Sequence, residues 1–374
     1  MTSQHYPPTP DQARTVRFGT QKGGSGRTTT LANIAFEVAR LGGQVLLLDC
    51  DPNRVLTAMQ LGYDPEASND ATISDLLMAS TDPSSVGAAG DMILRAPEQW
   101  QPRTDLAWGD GGAVPGTEGA VAFIPGSPDL GARVSYLGGQ QNSEAYLQRG
   151  LEGVARHFDL VLIDTGATAE RLSWMTLHAA AYVMSAILPE DSAINGMLDE
   201  IDLVQGTADN YRLPVRYIGA ICTKFDSRNK VEHGDGLQRA IGEMAAKAKE
   251  NSSSIPLVKH PAPLPGMIQE WETGPVLWPE VIPQRSLVLR HGRMREPVTS
   301  GLYGGAGDDV SWRAKLEAGK AADTVNLFTR LAIRLLQVTD SPVFPSAAQA
   351  MTEHHADLFY DEPGRAVRAD SWSS

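Results

Sequence analysis

The run Gln21-Lys22-Gly23-Gly24-Ser25-Gly26-Arg27-Thr28-Thr29 decides the fold. Before it stands an apolar strand pattern, Thr15-Val16-Arg17-Phe18-Gly19, and behind it a helical one over residues 30–41. A glycine-rich turn between strand and helix points backbone N–H groups at one spot, and the helix N-terminus adds positive potential there. Such a turn cradles a phosphate, and the Thr28 hydroxyl is placed to hold a magnesium ion. A plain glycine turn is the bland alternative. Strand, turn and helix all falling where the mechanism needs them weigh against it.

The general phosphate-loop pattern has glycine where Gln21 stands and lysine where Arg27 stands. Here a lysine comes early instead, Lys22, followed by two glycines. This resembles the deviant Walker A motif, KGGxGK[ST], of the ParA/MinD family of dimeric ATPases, on its ParA/Soj-like partition side. In that family the early lysine reaches across a dimer interface to the partner's nucleotide. The resemblance therefore implies ATP and magnesium as cofactors, with Lys22, Gly23, Gly24, Ser25, Gly26, Arg27, Thr28 and Thr29 around the phosphates. It also implies Lys22 and Arg27 among the catalytic groups. Arg27 departs from the motif's second lysine. Arginine keeps the charge but is longer, planar and forked. The expectation is that binding survives the exchange, while the rate of hydrolysis stays open.

Composition suits a soluble enzyme. The 374 residues allow one large α/β domain with a substantial core. Apolar runs fall short of the roughly 20 residues a membrane helix needs. The polar, proline-bearing first residues are no signal peptide. Cys50 and Cys222 both lie in apolar strand patterns, which favours buried thiols in a reducing cytoplasm over a disulfide. A net charge of −13 argues against a surface that binds nucleic acid throughout, so any such site would be a local patch.

Strand and helix patterns alternate along the chain. Strands are expected at 44–48, 159–163, 182–188 and 217–223, and helices at 30–41, 144–156, 191–204, 237–248 and 321–336. Short apolar strands of this kind suit a mostly parallel sheet covered by helices on both faces. The expected organisation is a flexible segment at 1–13, one ATPase domain at 14–338 and a flexible tail at 339–374, in which 346–360 could form a short helix. Residues 96–119 are rich in Gly, Pro and Trp without periodicity and read as a loop insertion.

Three further segments carry the resemblance. Val45-Leu46-Leu47-Leu48-Asp49-Cys50-Asp51-Pro52-Asn53 is similar to the family's hhhhDxDPQ segment. Acids at the carboxyl end of a parallel strand face the crevice where such folds bind ligands. Asp49 is a candidate for a magnesium-bound water, and the resemblance makes Asp51 the residue that activates the attacking water. Asp-x-Asp-Pro is also good turn chemistry. Phe158-Asp159-Leu160-Val161-Leu162-Ile163-Asp164 looks like a Walker B strand, with Asp164 in the magnesium shell. Gly166 and Ala167 stand where ParA proteins usually carry two prolines, closer to the MinD side. Ile221-Cys222-Thr223-Lys224-Phe225-Asp226-Ser227-Arg228 is similar to the family's T-x-[YF]-D-x-R segment near the base, which implies Thr223 and Asp226 as nucleotide contacts. It also faintly echoes the Asn-Lys-x-Asp guanine reader of GTPases. Adenine is preferred because the rest of the chain resembles an ATPase. Ile282-Pro283 and Pro297 keep the spacing of the family's IPR…G[KR]P segment, so Pro283 joins the implied nucleotide contacts, although Gln284 replaces the arginine.

Basic residues cluster at Arg285, Arg290, His291, Arg293 and Arg295. In ParA-like proteins, basic residues of the C-terminal half bind DNA without sequence preference, and Arg285, Arg290, Arg293 and Arg295 could neutralise several phosphates. A solvated face pairing with nearby acids is the other reading. The whole is expected to be a cytoplasmic partition ATPase, nucleoid-associated if it binds DNA. It would form a homodimer with ATP and be stimulated by a ParB-like partner, with no membrane anchor. A MinD-like membrane-associated positioning ATPase and a non-hydrolysing nucleotide-binding scaffold are the alternatives.

Overall fold

In the computed structural model the described residues are 7–19, 23–166, 170–225, 277–283, 294–299, 312–354, 360–362 and 365–366. The helix expected at 237–248 lies outside them. Among the described residues the chain builds one eight-stranded sheet, in the order β3-β4-β2-β5-β1-β6-β7-β8. The strands are β1 Thr15–Gly19, β2 Gln44–Cys50, β3 Leu94–Arg95, β4 Ala120–Ile124, β5 Leu160–Thr165, β6 Tyr182–Ile187, β7 Arg216–Phe225 and β8 Leu277–Pro283. All neighbours run parallel except β3, which pairs antiparallel with β4 at one edge. A small separate pair, Tyr360–Glu362 with Arg365–Ala366, is antiparallel.

Period-two alternation explains why β2 is apolar without a break from Val45 to Leu48. Val45 and Leu47 point to one face, where they pack with helix α1 (Arg27–Arg40). Leu46, Leu48 and Cys50 point to the other, against α3 (Ile73–Ala79), α4 (Leu130–Leu137), α5 (Tyr146–Leu151) and α6 (Glu170–Ala179). A short turn of helix, α2 (Pro65–Ser68), precedes α3. Both faces of the strand are covered, so both sets of side chains are apolar. β1 departs from this rule at Arg17. Its guanidinium is buried, bonded to Glu200 of α7 (Asp191–Tyr211) and, through Nε at 3.0 Å, to the Thr176 hydroxyl of α6. A charge in a central strand is tolerated because it is paired and hydrogen-bonded.

Helix α1 is buried along nearly its whole length, and polar groups dock it. Glu37 accepts hydrogen bonds from Arg40 Nη1 (2.6 Å), from the Thr329 hydroxyl (2.7 Å) of α8 (Trp312–Val338) and from the Thr299 hydroxyl. Asn33 Oδ1 accepts from the Val298 amide at 2.7 Å.

Several expectations change. The helix expected over 144–156 is broken: a 3-10 turn at Ser143–Ala145 leads into α5, and Gly153 at φ +79° ends the run before a second turn at Ala155–His157. Glycine adopts that left-handed backbone without a Cβ penalty and so stops the helix there. Helix α7 runs to Tyr211 rather than 204, ending where the Tyr211 ring meets His178 edge-on at 4.8 Å. The span expected to be a tail turns back at 339–343 into α9 (Phe344–His354), whose Ala347 is fully buried in the main core. The segment 96–119 has little regular structure, yet it is not loose. Trp100 is wholly buried, edge-on to Phe36 of α1 at 6.2 Å, and Arg40 stacks on Trp108 while donating to its carbonyl at 2.9 Å.

Trp100 tests that last point. Trp100→Ala should cost about 3–5 kcal/mol in urea unfolding, the range for truncating a large buried aromatic. A cost under about 1 kcal/mol, as at an exposed loop position, would contradict it.

Candidate functional site

Strand register assembles the site. Phe18 of β1 and Asp49 of β2 are both paired with Asp164 of β5, so Gly19, Asp164 and Asp49 come to one edge of the sheet at the carboxyl ends of the strands. Strand order reverses around β1, which opens a crevice at that edge. The glycine-rich loop crosses it from Gly23. Gly24 and Gly26 both sit at φ +76°, and Gly26 is the N-cap of α1. No side chain caps that helix and no acid stands in its first turn, so its N-terminal N–H groups keep their affinity for an anion.

The Arg27 side chain turns inward. Its Nε donates to Asp164 Oδ1 at 2.9 Å, and its Nη2 lies 3.8 Å from Asp51 Oδ2. Asp51 Oδ1 accepts from the backbone and side-chain nitrogens of Asn53, at 2.9 and 3.1 Å. Asp49 is fully buried and both its oxygens are hydrogen-bonded: Oδ1 accepts from the Asp51 amide (3.1 Å), and Oδ2 from the amide (2.8 Å) and hydroxyl (2.6 Å) of Thr57. Thr57 belongs to a π-helical turn, Val55–Gln60, and its Oγ1 also accepts from the Gly126 amide at 2.8 Å. From the same turn Gln60 Nε2 reaches Thr29 Oγ1 at 3.1 Å, tying the turn to the loop.

Burial pushes the Asp49 carboxyl up to about 7; the Asp164 charge adds to that rise, and the Thr57 and Asp51 bonds oppose it. Asp164 is raised for the same first reason, with the Arg27 charge and the Thr28 hydroxyl pulling it down.

The fit to magnesium can be judged from these donors. Asp164 Oδ2 is buried with no hydrogen-bond partner among the described residues, and the Thr28 hydroxyl lies near the same carboxyl group. An orphaned buried carboxylate oxygen next to a hydroxyl suits a hard cation. No cluster of three or more His, Cys, Asp or Glu able to hold a metal occurs among the described residues. Magnesium typically needs only one or two protein ligands when phosphate and water supply the rest. Thr28 and Asp164 therefore fit it. Asp49 accepts three hydrogen bonds, two of them from Thr57, and so braces the turn that carries Thr57.

Other expected residues are placed as follows. Gly23 and Gly24 are exposed, whereas Ser25 is buried with Oγ unpartnered among the described residues. Thr223, expected near the base, carries its hydroxyl to the Ser25 carbonyl and lies 3.1 Å from the Ile187 carbonyl. Pro283 ends β8 in register with Phe225 and lies at the sheet edge away from β1. Arg295 is exposed in the left-handed region at φ +60°; its carbonyl accepts from Trp100 Nε1 at 2.9 Å, and its stem lies over Gly62. Lys22, Asp226, Arg285, Arg290 and Arg293 lie outside the described residues. Both cysteines are buried free thiols, with Cys222 pushed up to about 12 by burial, which suits inert packing rather than ligation. Sequence reasoning missed Thr57, Gln60 and Lys224. Thr57 and Gln60 stand at no motif position, and only the π-helical turn brings them inward; Lys224 lies inside the Thr223–Arg228 segment but was given no role there.

The Asp49 shift has a definite sign. In an unfolded chain the carboxyl ionises near 3.8, while in the fold it holds its proton to about pH 7. The folded state binds more protons across that window, so this group's contribution to stability falls as pH rises from about 4 to 7 and levels off above. Asp49→Asn should flatten the slope, measured as urea midpoints from pH 5 to 8 without metal. A difference between variant and wild type that does not change with pH would contradict it.

Similarity to known proteins follows the same lines. ParA of Myxococcus xanthus, a chromosome partitioning protein, is 27% identical over 227 residues, 59% of this chain and 68% of that protein. The chromosome-partitioning ATPase Soj of Thermus thermophilus is 27% identical over 218 residues, 58% of this chain and 72% of Soj. Among solved structures, a Cyanothece McdA variant in complex with ATP superposes with a TM-score of 0.53 at 15% identity, covering 84% of this chain and 96% of McdA. Cobyrinic acid a,c-diamide synthase of Mycobacterium smegmatis, with an ATP analogue and magnesium, gives 0.50 at 22% identity, covering 75% and 92%. At such identities the two structures speak for the fold alone. Residues 18–255 match the CobQ/CobB/MinD/ParA nucleotide-binding domain, and the chain belongs to that family.

Proposed function

We propose that this chain is a ParA/Soj-like partition ATPase. It binds Mg·ATP in the crevice at the ends of β1, β2 and β5, dimerises in that state, binds DNA without sequence preference and answers to a ParB-like partner. The observation that carries the reading is the meeting of Asp49, Asp164 and the Gly23–Thr29 loop at one sheet edge. Among the described residues no helix is long and apolar enough to cross a membrane.

Each residue then has a task. The loop amides and the α1 N-terminus take the phosphates. Thr28 and Asp164 hold magnesium, which would offset phosphate charge. Asp51, fixed by Asn53, orients the attacking water and accepts its proton. Lys22 contacts the partner subunit's phosphates. Arg27 is engaged with both Asp164 and Asp51, so intrinsic turnover should be slow. That same engagement favours a second reading, a nucleotide-gated scaffold that barely hydrolyses.

Calorimetry with Mg·ATP tests the first step. Binding with adenine preferred over guanine is expected; no binding at millimolar ATP, or a clear preference for GTP, would overturn it. For assembly, Asp51→Ala with ATP should be a dimer by light scattering, and adding Lys22→Ala should return it to monomer. A normal dimer in that double variant would remove Lys22 from the interface. Turnover in Asp51→Ala should vanish, and an unchanged rate would favour a different base.

A further inference from the structure

The end of β7 grips the glycine-rich loop at two consecutive residues. The Thr223 hydroxyl meets the Ser25 carbonyl, and the Lys224 ammonium donates to the Gly24 carbonyl at 2.5 Å. The two strands are not neighbours, since β6 stands between β1 and β7, so the grip is made by side chains reaching over. Lys224 sits at φ +54°, a backbone region that lysine seldom adopts, and strain of this kind persists only where surroundings impose it. The stem passes close over Gly26: a Cβ there would stand 4.0 Å from Lys224 Cε and 3.7 Å from Thr223 Cβ.

Peptide planarity turns this grip into a statement about the anion site. In a trans peptide the C=O and the following N–H point in opposite directions. A Gly24 carbonyl held on the β7 side turns the Ser25 amide away from β7. A Ser25 carbonyl held there does the same for the Gly26 amide. Both amides then face the side of the loop on which Arg27 meets Asp164 and Asp51. Successive amides turned to one side make an anion-binding concavity. With positive φ at Gly24 and Gly26, the loop has other conformations within reach, so something must select this one.

We propose that Lys224 is a positioning residue for phosphate binding: with Thr223 it fixes the Gly24 and Ser25 peptides so that the Ser25 and Gly26 amides are aimed before the anion arrives. The inference deepens the nucleotide reading above and rests on it. Lys224 acts through the backbone of the loop, on its carbonyl side.

The test uses the full chain as wild type, Lys224→Met, Lys224→Arg and Arg27→Met, titrated with Mg·ATP and with inorganic triphosphate. Lys224→Met should bind both about tenfold or more weakly, the loss expected when aimed donors to a charged group are no longer held. Lys224→Arg, which keeps a cation over the loop, should recover part of it. The melting temperature should move little, since the lysine is exposed and a merely structural role would lower stability and affinity together. Without ligand, hydrogen exchange and chemical shifts of the Ser25 and Gly26 amides should change in Lys224→Met and return part of the way in Lys224→Arg. Unchanged affinity and unchanged amides in Lys224→Met would overturn the proposal. So would loss confined to Arg27→Met, which would give the phosphates to Arg27. Wild type that binds neither probe would overturn the nucleotide reading, and the ligand-free amides would still decide whether Lys224 sets the loop.

Discussion

The Arg27–Asp164 ion pair is the contact on which the crevice depends. One partner is the first residue of the helix behind the loop, the other the last acid of β5, and neither side chain has appreciable contact with water. A buried pair of this kind adds little net stability, because desolvation offsets the attraction, yet removing one partner costs about 3–5 kcal/mol. It therefore acts as a constraint more than as a source of stability. It fixes where the loop stands relative to β5, and through Asp51 relative to β2 as well. The consequence is chemical. A lysine at position 27 would present a compact, rotatable ammonium, whereas the forked guanidinium hydrogen-bonds Asp164 and at the same time stands 3.8 Å from Asp51. The crevice is thus partly charge-balanced before any phosphate enters, and phosphate or metal must compete with a contact already made.

From that pair the rest of the molecule follows along α1. The helix starts at the loop and carries Asn33, Glu37 and Arg40 on faces that meet the 298–299 segment, α8 and the 96–119 segment. Each of these contacts is a hydrogen bond to a buried group, so each holds a defined register rather than an approximate one. A shift of the loop on binding an anion would load the helix, and the helix is fastened to the C-terminal half by the Glu37 hub. The π-helical turn is a second route: Asp49 holds Thr57, Gln60 holds Thr29, and Trp100 Nε1 is within hydrogen-bond reach of the Gln60 and Arg295 carbonyls. The glycine-rich loop and the exposed Arg295 turn are in this way linked by a chain of hydrogen bonds through Gln60 and Trp100.

Much of the fold was legible in the sequence because its strands are short apolar runs buried on both faces. β1, β2 and β5 fall within two residues of their expected bounds, and their terminal acids meet as the motifs require. Helix ends were less legible. Residues 205–211 are largely polar, yet the helix continues because that side faces water and Tyr211 finds His178. At 144–156 the apolar spacing fits one helix, and a single left-handed Gly153 overrules it. The 96–119 segment shows no period since Trp100 and Trp108 are anchored one at a time to α1, by ring and carbonyl. In the site, the motif residues were readable and their partners were not. Nothing in the spacing says that Thr57 occupies both the reach and the charge of Asp49, or that Thr223 braces the loop. Those pairings are set by tertiary placement.

Hydrogen exchange of the full chain, with and without Mg·ATP, asks the decisive question of where the anion sits. Slowed exchange at the amides from Gly24 to Thr30, together with the segment around Asp51 to Gln60, is the expected result. Slowing confined to other segments, with the glycine-rich loop unchanged at saturating nucleotide, would contradict a phosphate site at the ends of β1, β2 and β5.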